Sequence, residues 1–179
     1  MGMFGPMVSL WQAALGKNKS GRVSDYFSPE ILAKIKDAVH EAESNTSGEI
    51  RVKIINEYDQ DLASCYEHRD GSRRVHEQAL REFEREGMHN TRDKTGILVL
   101  VVLSEKRFTI LADEGIYSKL AQEWWNHKAE TMSGYFRAGN PARGICEAVK
   151  EVGKELSRYF PKKPDDVNEL PDDVIVEGK

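Results

Sequence analysis

GILVLVVLSEKRFTILAD, residues Gly96–Asp113, predicts the centre of the fold. Its first part, Gly96–Leu103, is an unbroken apolar run, which is typical of a central strand that is buried on both faces. The turn Ser104–Lys106 follows, and Arg107–Asp113 then returns as the partner strand of a hairpin. Elements before and after this hairpin must therefore cover both faces of its first strand.

Two helical patterns and one strand pattern precede the hairpin. In Glu49–Ile55 apolar residues alternate with charged ones, which predicts a strand with one apolar face. Ser28 and Pro29 fit the N-cap and the first position of a helix whose apolar residues recur at helical spacing up to Ala42. A second helix is expected from about Ser72 to Glu86, between the two strands.

Two helices are predicted after the hairpin. One extends from about Ser118 to Tyr135, and the last begins near Asn140 and reaches about Phe160, with a stripe of apolar residues along one face. The resulting order α-β-α-β-β-α-α predicts an α/β fold. The expected architecture is a three-layer α/β/α sandwich with a small mixed central sheet flanked by helices.

The composition narrows the classes of function. The chain has 179 residues, of which 39% are hydrophobic and 31% are charged, as in a globular domain. Its formal net charge is −4 and its basic residues are interleaved with acidic ones, so no nucleic-acid-binding surface is expected. The two cysteines, Cys65 and Cys146, do not require a disulfide, and a reducing compartment is the default expectation.

Both ends of the chain differ from its middle. Residues 1–16 carry no charged side chain, lack the basic start of a secretory signal, and are too few to span a bilayer. This apolar segment could pack on the domain, mediate oligomerisation, bind a protein partner, lie at a membrane surface or be mobile. We expect an N-terminal segment and linker over 1–27, a domain over 28–161, and an acidic tail over 162–179 that is disordered or loosely docked. The expected location is cytoplasmic or membrane-peripheral, with no transmembrane segment.

One edge of the predicted sheet gathers side chains that carry oxygen atoms. The end of the second hairpin strand lies beside the start of the first, and a parallel strand at 49–55 would start there too. This arrangement would bring together Thr91, Asp93, Asp113 and Glu114, and the last helix could begin with Asn140 at the same edge. Carboxylate, amide and hydroxyl oxygens suit calcium or magnesium. The same side chains could instead act as helix caps or as solvated charges.

A second acidic set follows the first predicted strand. Glu57, Asp59 and Asp61 could lie near Glu105 at the opposite edge, but their spacing fits neither an aspartyl-phosphate enzyme nor an EF-hand. This stretch is expected to be a mobile, solvated loop. The sequence contains no nucleophile motif of the GxSxG type and no glycine-rich phosphate loop. Arg137 could hold a phosphate beside the last helix, although a surface salt bridge is the simpler role.

Four stretches, taken in order, resemble the TPM domain family. They are SGEIRV (Ser47–Val52), FEREGMHNTRDKTGILVLV (Phe83–Val101), RFTILADEGI (Arg107–Ile116) and FRAGNPARGI (Phe136–Ile145). The resemblance implies a small sheet sandwiched by helices. Some members of the family are described as acid phosphatases, and several as binding calcium or another divalent ion. Where the family usually has Gly-Asp-Tyr, this chain has Gly139-Asn140-Pro141, which removes one carboxylate from the implied metal site.

Three functions remain open at the level of the sequence. The first is a binding or accessory module for calcium or magnesium, with the ligands Asp113, Glu114, Asp93, Asn140 and Thr91. The second is a metal-dependent phosphatase that hydrolyses phosphomonoesters at the same edge, where Arg137 would contact the phosphate. The third is a protein-interaction module that uses the apolar N-terminal segment.

Overall fold

The computed structural model describes residues 7–10, 22–65 and 71–178 of the chain. The strands are β1 (Met7–Leu10), β2 (Ile50–Ile55), β3 (Ile97–Val102), β4 (Arg107–Ala112) and β5 (Ile175–Glu177). The helices are α1 (Val23–Tyr26), α2 (Pro29–Glu43), α3 (Gln60–Cys65), α4 (Gly71–Arg85), α5 (Glu114–Tyr117), α6 (Gln122–Arg137) and α7 (Pro141–Tyr159). A 3₁₀ turn at Met88–Asn90 lies between α4 and β3.

The five-stranded sheet has the order β1-β4-β3-β2-β5. The predicted hairpin of β3 and β4 is confirmed, with Val99 opposite Ile110 in an antiparallel ladder. Strand β2 runs parallel to β3, and β5 runs parallel to β2. Strand β1 pairs antiparallel with β4, so part of the apolar N-terminal segment packs on the domain, and the rest of that segment lies outside the described residues.

Helices cover both faces of the sheet, which confirms the predicted α/β/α sandwich. Alternate residues of β3 point to opposite sides: Val99 joins a core formed with α2, α6 and α7, whereas Leu98 and Leu100 join a core formed with α4. All six residues of β3 are buried, as the apolar run predicted. No helix in the described ranges is long and apolar enough to cross a membrane.

The first predicted helix begins where its sequence indicates. Ser28 is the N-cap of α2, and its hydroxyl oxygen accepts a hydrogen bond from the Ile31 amide at 3.4 Å. Pro29 occupies the first helical position, where a missing N–H costs nothing. The helix predicted from Ser118 begins instead at Gln122, because the short helix α5 and a turn come first.

Strand β2 has no solvated face, contrary to the prediction from its alternating charges. All of its residues are buried, including Arg51 and Lys53, because α4 covers the face that carries them. The C-terminal segment closes the outer edge of β2 by adding β5, so the segment from 162 onward contributes to the sheet. Composition alone gives no sign of this pairing, since the tail is acidic and contains two prolines.

Candidate functional site

The edge that was predicted to hold the site forms as expected from the strand directions. The Asp113 amide donates to the Gly96 carbonyl at 2.9 Å, and the Ile97 amide donates to the Glu49 carbonyl at 2.8 Å. The end of β4 and the starts of β3 and β2 therefore lie side by side. We call this edge, where β2 and β3 start and β4 ends, the β2-start edge.

Asp113 is a buried carboxylate at the β2-start edge. The residue is only 5% exposed, and its Oδ1 atom accepts a hydrogen bond from the Glu114 amide at 2.7 Å. Oδ2 is buried and has no hydrogen-bond partner among the described residues. Burial raises the pKa of Asp113, since a carboxylate loses hydration there. Glu114 is exposed, and it is not part of the carboxylate group that could hold a metal ion among the described residues.

Thr91 and Asp93 lie in the loop at the same edge and already have partners. The buried Thr91 hydroxyl accepts from the Thr95 amide at 3.1 Å and donates to the Met88 carbonyl at 3.4 Å. Asp93 forms an ion pair with Lys163 at 2.9 Å. These contacts hold the loop in place.

The prediction that Asn140 joins this edge is wrong. Helix α7 has 19 residues and is about 28 Å long, and its other end lies at the edge. The Phe160 carbonyl, just after that end, accepts from the Ser47 amide at 3.1 Å. The first residues of α7 lie instead near the start of β4, where the rings of Phe136 and Phe108 are 5.1 Å apart.

Arg137 lies beside Asn140, away from the β2-start edge. Its guanidinium donates to Glu130 at 2.7 Å and to the Ser133 hydroxyl at 2.7 Å. These contacts fit the simpler expectation for Arg137, which was a surface salt bridge. Asn140 itself is exposed, and its amide group donates to the Ala138 carbonyl at 3.3 Å.

The rival acidic set after β2 consists largely of ion pairs. Asp59 lies 2.6 Å from Arg85, and Asp61 lies 2.8 Å from Arg81. Glu105 lies 3.3 Å from an arginine of α4. These basic partners neutralise Asp59 and Asp61, and Asp61 lies in the short helix α3 rather than in the mobile loop that was expected here.

A cavity of about 70 Å³ opens at the β2-start edge, between the body of the domain and the C-terminal segment. Its lining residues come from the end of α2, the start of β2 and the C-terminal segment: His40, Glu43, Ser44, Thr46, Gly48, Glu49, Lys162, Asp166, Asn168 and Asp172. The cavity is therefore rich in carboxylates, although they differ from those predicted. We refer to it as the acidic cavity.

Glu43 and Glu49 are the buried members of the acidic cavity, at 8% and 4% exposure. One oxygen of each accepts a backbone hydrogen bond: Glu43 Oε1 from Ile50 at 2.5 Å and Glu49 Oε1 from Glu169 at 2.9 Å. The other oxygen of each is buried and accepts no hydrogen bond from the described residues. Neither carboxylate forms an ion pair with a basic side chain in the described part of the chain.

Asp172 brings a third carboxylate to the acidic cavity from the C-terminal segment. Its Oδ2 lies 2.7 Å from His40 Nδ1, and its Oδ1 accepts from the Asn168 amide group at 2.7 Å. Burial alone would raise the pKa of Asp172, but hydrogen bonds from Asn168, His40 and Glu43 lower it below its ordinary value. Asp172 therefore brings a negative charge to the two buried glutamates.

The two glutamates of the acidic cavity hold their protons more tightly than usual. Burial, with the nearby charges of Glu49 and Asp172, raises the pKa of Glu43 to about 9. Burial, with the charge of Glu169, raises the pKa of Glu49 to about 7, although backbone hydrogen bonds oppose the increase. A carboxylate so placed is stabilised either by a proton or by a cation that reaches its unpartnered oxygen.

We expect the stability of the Glu43→Gln variant to fall less at alkaline pH than the stability of the natural protein. Native Glu43 keeps its proton up to a pKa of about 9, whereas the unfolded chain loses it near 4.5. The native state thus binds more protons between pH 7 and 9, and its stability falls as the pH rises. The free energy of unfolding should fall by about 2 kcal/mol more in the natural protein than in Glu43→Gln.

Urea denaturation with a chelator present, at several pH values, measures this difference. The variant is a close mimic of protonated Glu43, because its amide oxygen still accepts from Ile50 and its amide group donates toward Asp172. The charged groups that face Glu43 stay unchanged in both proteins: His40, Glu49, Lys162, Asp166 and Asp172. Equal pH slopes for the two proteins would contradict the prediction.

A second carboxylate group lies on the α4 face of the sheet. Oxygens of Glu82, Glu86 and Glu177 lie within 4.8 Å of one another, so these residues could hold a metal ion. The Nζ atom of Lys53, which is 1% exposed, lies 2.6, 3.0 and 2.6 Å from the three carboxylates. Burial alone would raise the pKa of Glu86, but hydrogen bonds from Lys53 and Arg51 lower it. An ammonium group thus neutralises this cluster.

Sequence reasoning missed the residues of the acidic cavity. Glu43 stands in the run that ends the first helix, and Glu49 in the charged positions of the strand that were expected to face solvent. Gly48, which lies between them in the sequence, is the residue that could have indicated their burial. A Cβ atom there would lie 2.6 Å from Leu156, so β2 starts pressed against the end of α7 and its neighbours are buried.

Comparisons with known proteins agree with the geometry of the fold. The TPM domain family matches residues 23–155, a range that includes Glu43, Glu49 and Asp113 but not Asp172. The NMR structure of BA42 protein from the psychrophilic bacterium Bizionia argentinensis is 30% identical, with a TM-score of 0.72. That similarity covers 88% of this chain and 99% of BA42. No curated protein matches the chain. The chain belongs to the TPM domain family, as the matched range and the shared α/β/α architecture both indicate.

Proposed function

We propose that the chain is a binding module for a divalent cation, which Glu43, Glu49 and Asp172 hold in the acidic cavity. One observation carries the proposal: two carboxyl groups that line the cavity are at least nine-tenths buried, each has one oxygen without a hydrogen-bond partner among the described residues, and a third carboxylate lines the same cavity. Buried polar atoms normally have partners, because an unmet hydrogen bond costs about 1–3 kcal/mol. A cation would supply the missing partner for both oxygens.

The size and chemistry of the acidic cavity favour a hard cation. A volume of about 70 Å³ accommodates an ion and roughly two water molecules, since a water occupies about 30 Å³. Oxygen ligands from carboxylates, amides and water are those that calcium and magnesium prefer. The ligands come from a helix end, a strand start and a loop-like segment, which can adjust independently. Calcium tolerates such irregular geometry better than magnesium does, so calcium is the favoured ion.

The carboxylate group around Lys53 is the weaker candidate. A divalent ion would have to displace an ammonium that contacts all three carboxylates at 3.0 Å or less. Displacement would leave the Lys53 charge buried without a partner, which costs several kcal/mol. In the acidic cavity a cation would displace the proton of Glu43 rather than a buried ammonium, so no side-chain charge would be left buried without a partner.

We expect calcium to shift amide NMR signals of residues 43–50 and 166–172 and to leave those of 82–86 in place. The Glu43→Gln, Glu49→Gln double variant should bind calcium roughly 100-fold more weakly, because it loses two charged ligands. Glu41→Gln is the matched control, since this exposed glutamate of α2 lies outside the acidic cavity. Shifts around Glu82 and Glu86, or equal affinity in the double variant and the control, would contradict the assignment.

A metal-dependent phosphatase at the same edge is the alternative. His40 and Lys162 also line the acidic cavity and could contact a phosphate, and a divalent ion held by the carboxylates would supply Lewis-acid activation of a water for hydrolysis. The negative charge of Asp172 and of ionised Glu49 argues against it, because these carboxylates repel a phosphate unless the ion neutralises them. Hydrolysis of a generic phosphomonoester with saturating calcium or magnesium tests this function. Turnover that Glu49→Gln abolishes would favour the hydrolase, and its absence would favour the binding module.

A further inference from the structure

The C-terminal segment, residues 161–178, packs along the β2-start edge and then joins the sheet. It starts at the bridge between Pro161 and Thr46, and the Lys162 amide donates to the Asn45 carbonyl at 3.1 Å. It then passes over the acidic cavity, to which Asp172 contributes a carboxylate. It ends as β5, whose residues pair with Lys53–Ile55 of β2.

Most contacts that hold this segment are weak ones. The Lys36–Asp173 and Arg92–Asp165 ion pairs lie in solvent, where such pairs contribute about 0–1 kcal/mol. Strand β5 has three residues, and two of them are exposed. The stronger contacts are the Arg51 guanidinium on the Pro171 carbonyl and the pair of Lys53 with Glu177. Leu170 and Val174 also pack against the two cores, and the Glu169 amide donates to Glu49, so the segment is held by a limited set of partly buried contacts.

The acidic cavity lies between this segment and the body of the domain. Glu43 and Glu49 belong to the body, at the end of α2 and the start of β2, whereas Asp172 belongs to the segment. The Glu49 carboxylate also accepts the Glu169 amide, so both glutamates face the segment directly. A cation bound to all three carboxylates would be shared between the two parts.

We propose that a divalent cation in the acidic cavity locks the C-terminal segment onto the sheet, so that docking of β5 depends on the cation. This inference rests on the proposed function and adds a regulated element to it. A ligand that binds only the docked arrangement favours that arrangement by its differential binding free energy. The coupling is reciprocal, so contacts that dock the segment also tighten cation binding.

Amide hydrogen exchange of the full-length protein, followed by mass spectrometry, tests the proposal. Saturating calcium, compared with chelator, should slow exchange in peptides from 165–178 about tenfold and leave peptides from β3 unchanged. Asp172→Asn should lose most of this calcium effect. Asp173→Asn is the matched control: the same charge change is made one residue further on, in an exposed side chain that pairs with Lys36 and does not line the cavity.

The outcomes separate this inference from the proposed function. If calcium shifts the NMR signals of residues 43–50 but exchange in 165–178 stays the same, the locking proposal is wrong and cation binding stands. If calcium slows exchange equally in Asp172→Asn and Asp173→Asn, the cation acts elsewhere and the proposal is also wrong. If calcium moves no signal near Glu43 or Glu49, both the binding module and the lock fail.

Discussion

Replacement of Lys53 by methionine is expected to lower the free energy of unfolding by about 3–5 kcal/mol. The Lys53 ammonium is buried and contacts Glu82, Glu86 and Glu177, and Glu82 is itself fully buried. Methionine has a similar length but no charge, so the fully buried Glu82 and the half-buried Glu86 would lose the ammonium that they share. Breaking a buried ion pair from one side is costly for this reason, because the remaining charge has neither water nor a partner.

Urea denaturation at neutral pH with a chelator measures this loss. Lys154→Met is the matched control: Lys154 is an exposed lysine of α7 that pairs with Glu151, so its loss should cost less than about 1 kcal/mol. The double variant Lys53→Met, Glu82→Gln should recover part of the stability, because it removes one of the orphaned charges. A loss below about 1 kcal/mol in Lys53→Met would show that water reaches the cluster.

The Gly115→Ala variant is expected to lose about 3 kcal/mol of stability, from a clash at the β2-start edge. A Cβ atom at Gly115 would lie 2.3 Å from the Asp93 carbonyl oxygen and 2.4 Å from the Lys94 carbonyl oxygen. Both atoms belong to the backbone, so no side-chain rotation relieves the contact. The loop that carries Thr91 and Asp93 would have to move away from α5.

Thermal and urea denaturation of Gly115→Ala measure the effect. Gly134→Ala is the matched control, since a Cβ atom at Gly134 in α6 would have no neighbour within 4 Å. In the middle of a helix this change should stabilise the protein by about 0.5–1 kcal/mol. If Gly115→Ala were as stable as the natural protein, the close approach of α5 to this loop would be wrong.

The sequence predicts the framework of the fold because local patterns determine it. An apolar run in Gly96–Leu103 needs cover on both faces, and Ser28 followed by Pro29 marks a helix start; the structure confirms both. The burial of Arg51 and Lys53 was not predictable in the same way. Their alternation with apolar residues is typical of a solvated face, and acidic partners from distant parts of the chain, such as Glu82 and Glu86, make their burial tolerable.

The site was only partly predictable, and the helix direction explains one failure. Strand β4 ends at the β2-start edge, so α6 must lead away from that edge and α7 must return to it. Following the direction of each element in this way would have placed Asn140 at the end of α7 that lies away from the β2-start edge. Asp172 could not be found from local pattern, because its position depends on a tail whose composition resembles that of a disordered segment.

The order of the elements, in which β5 follows all the other described strands and helices, has a consequence for synthesis on the ribosome. The central strands, their covering helices and two of the glutamates that contact Lys53, Glu82 and Glu86, all emerge before residue 161. The domain can therefore assemble its core and balance its buried lysine while the last residues are still inside the ribosome. The C-terminal strand then adds to the edge of a sheet whose other strands are already outside the ribosome.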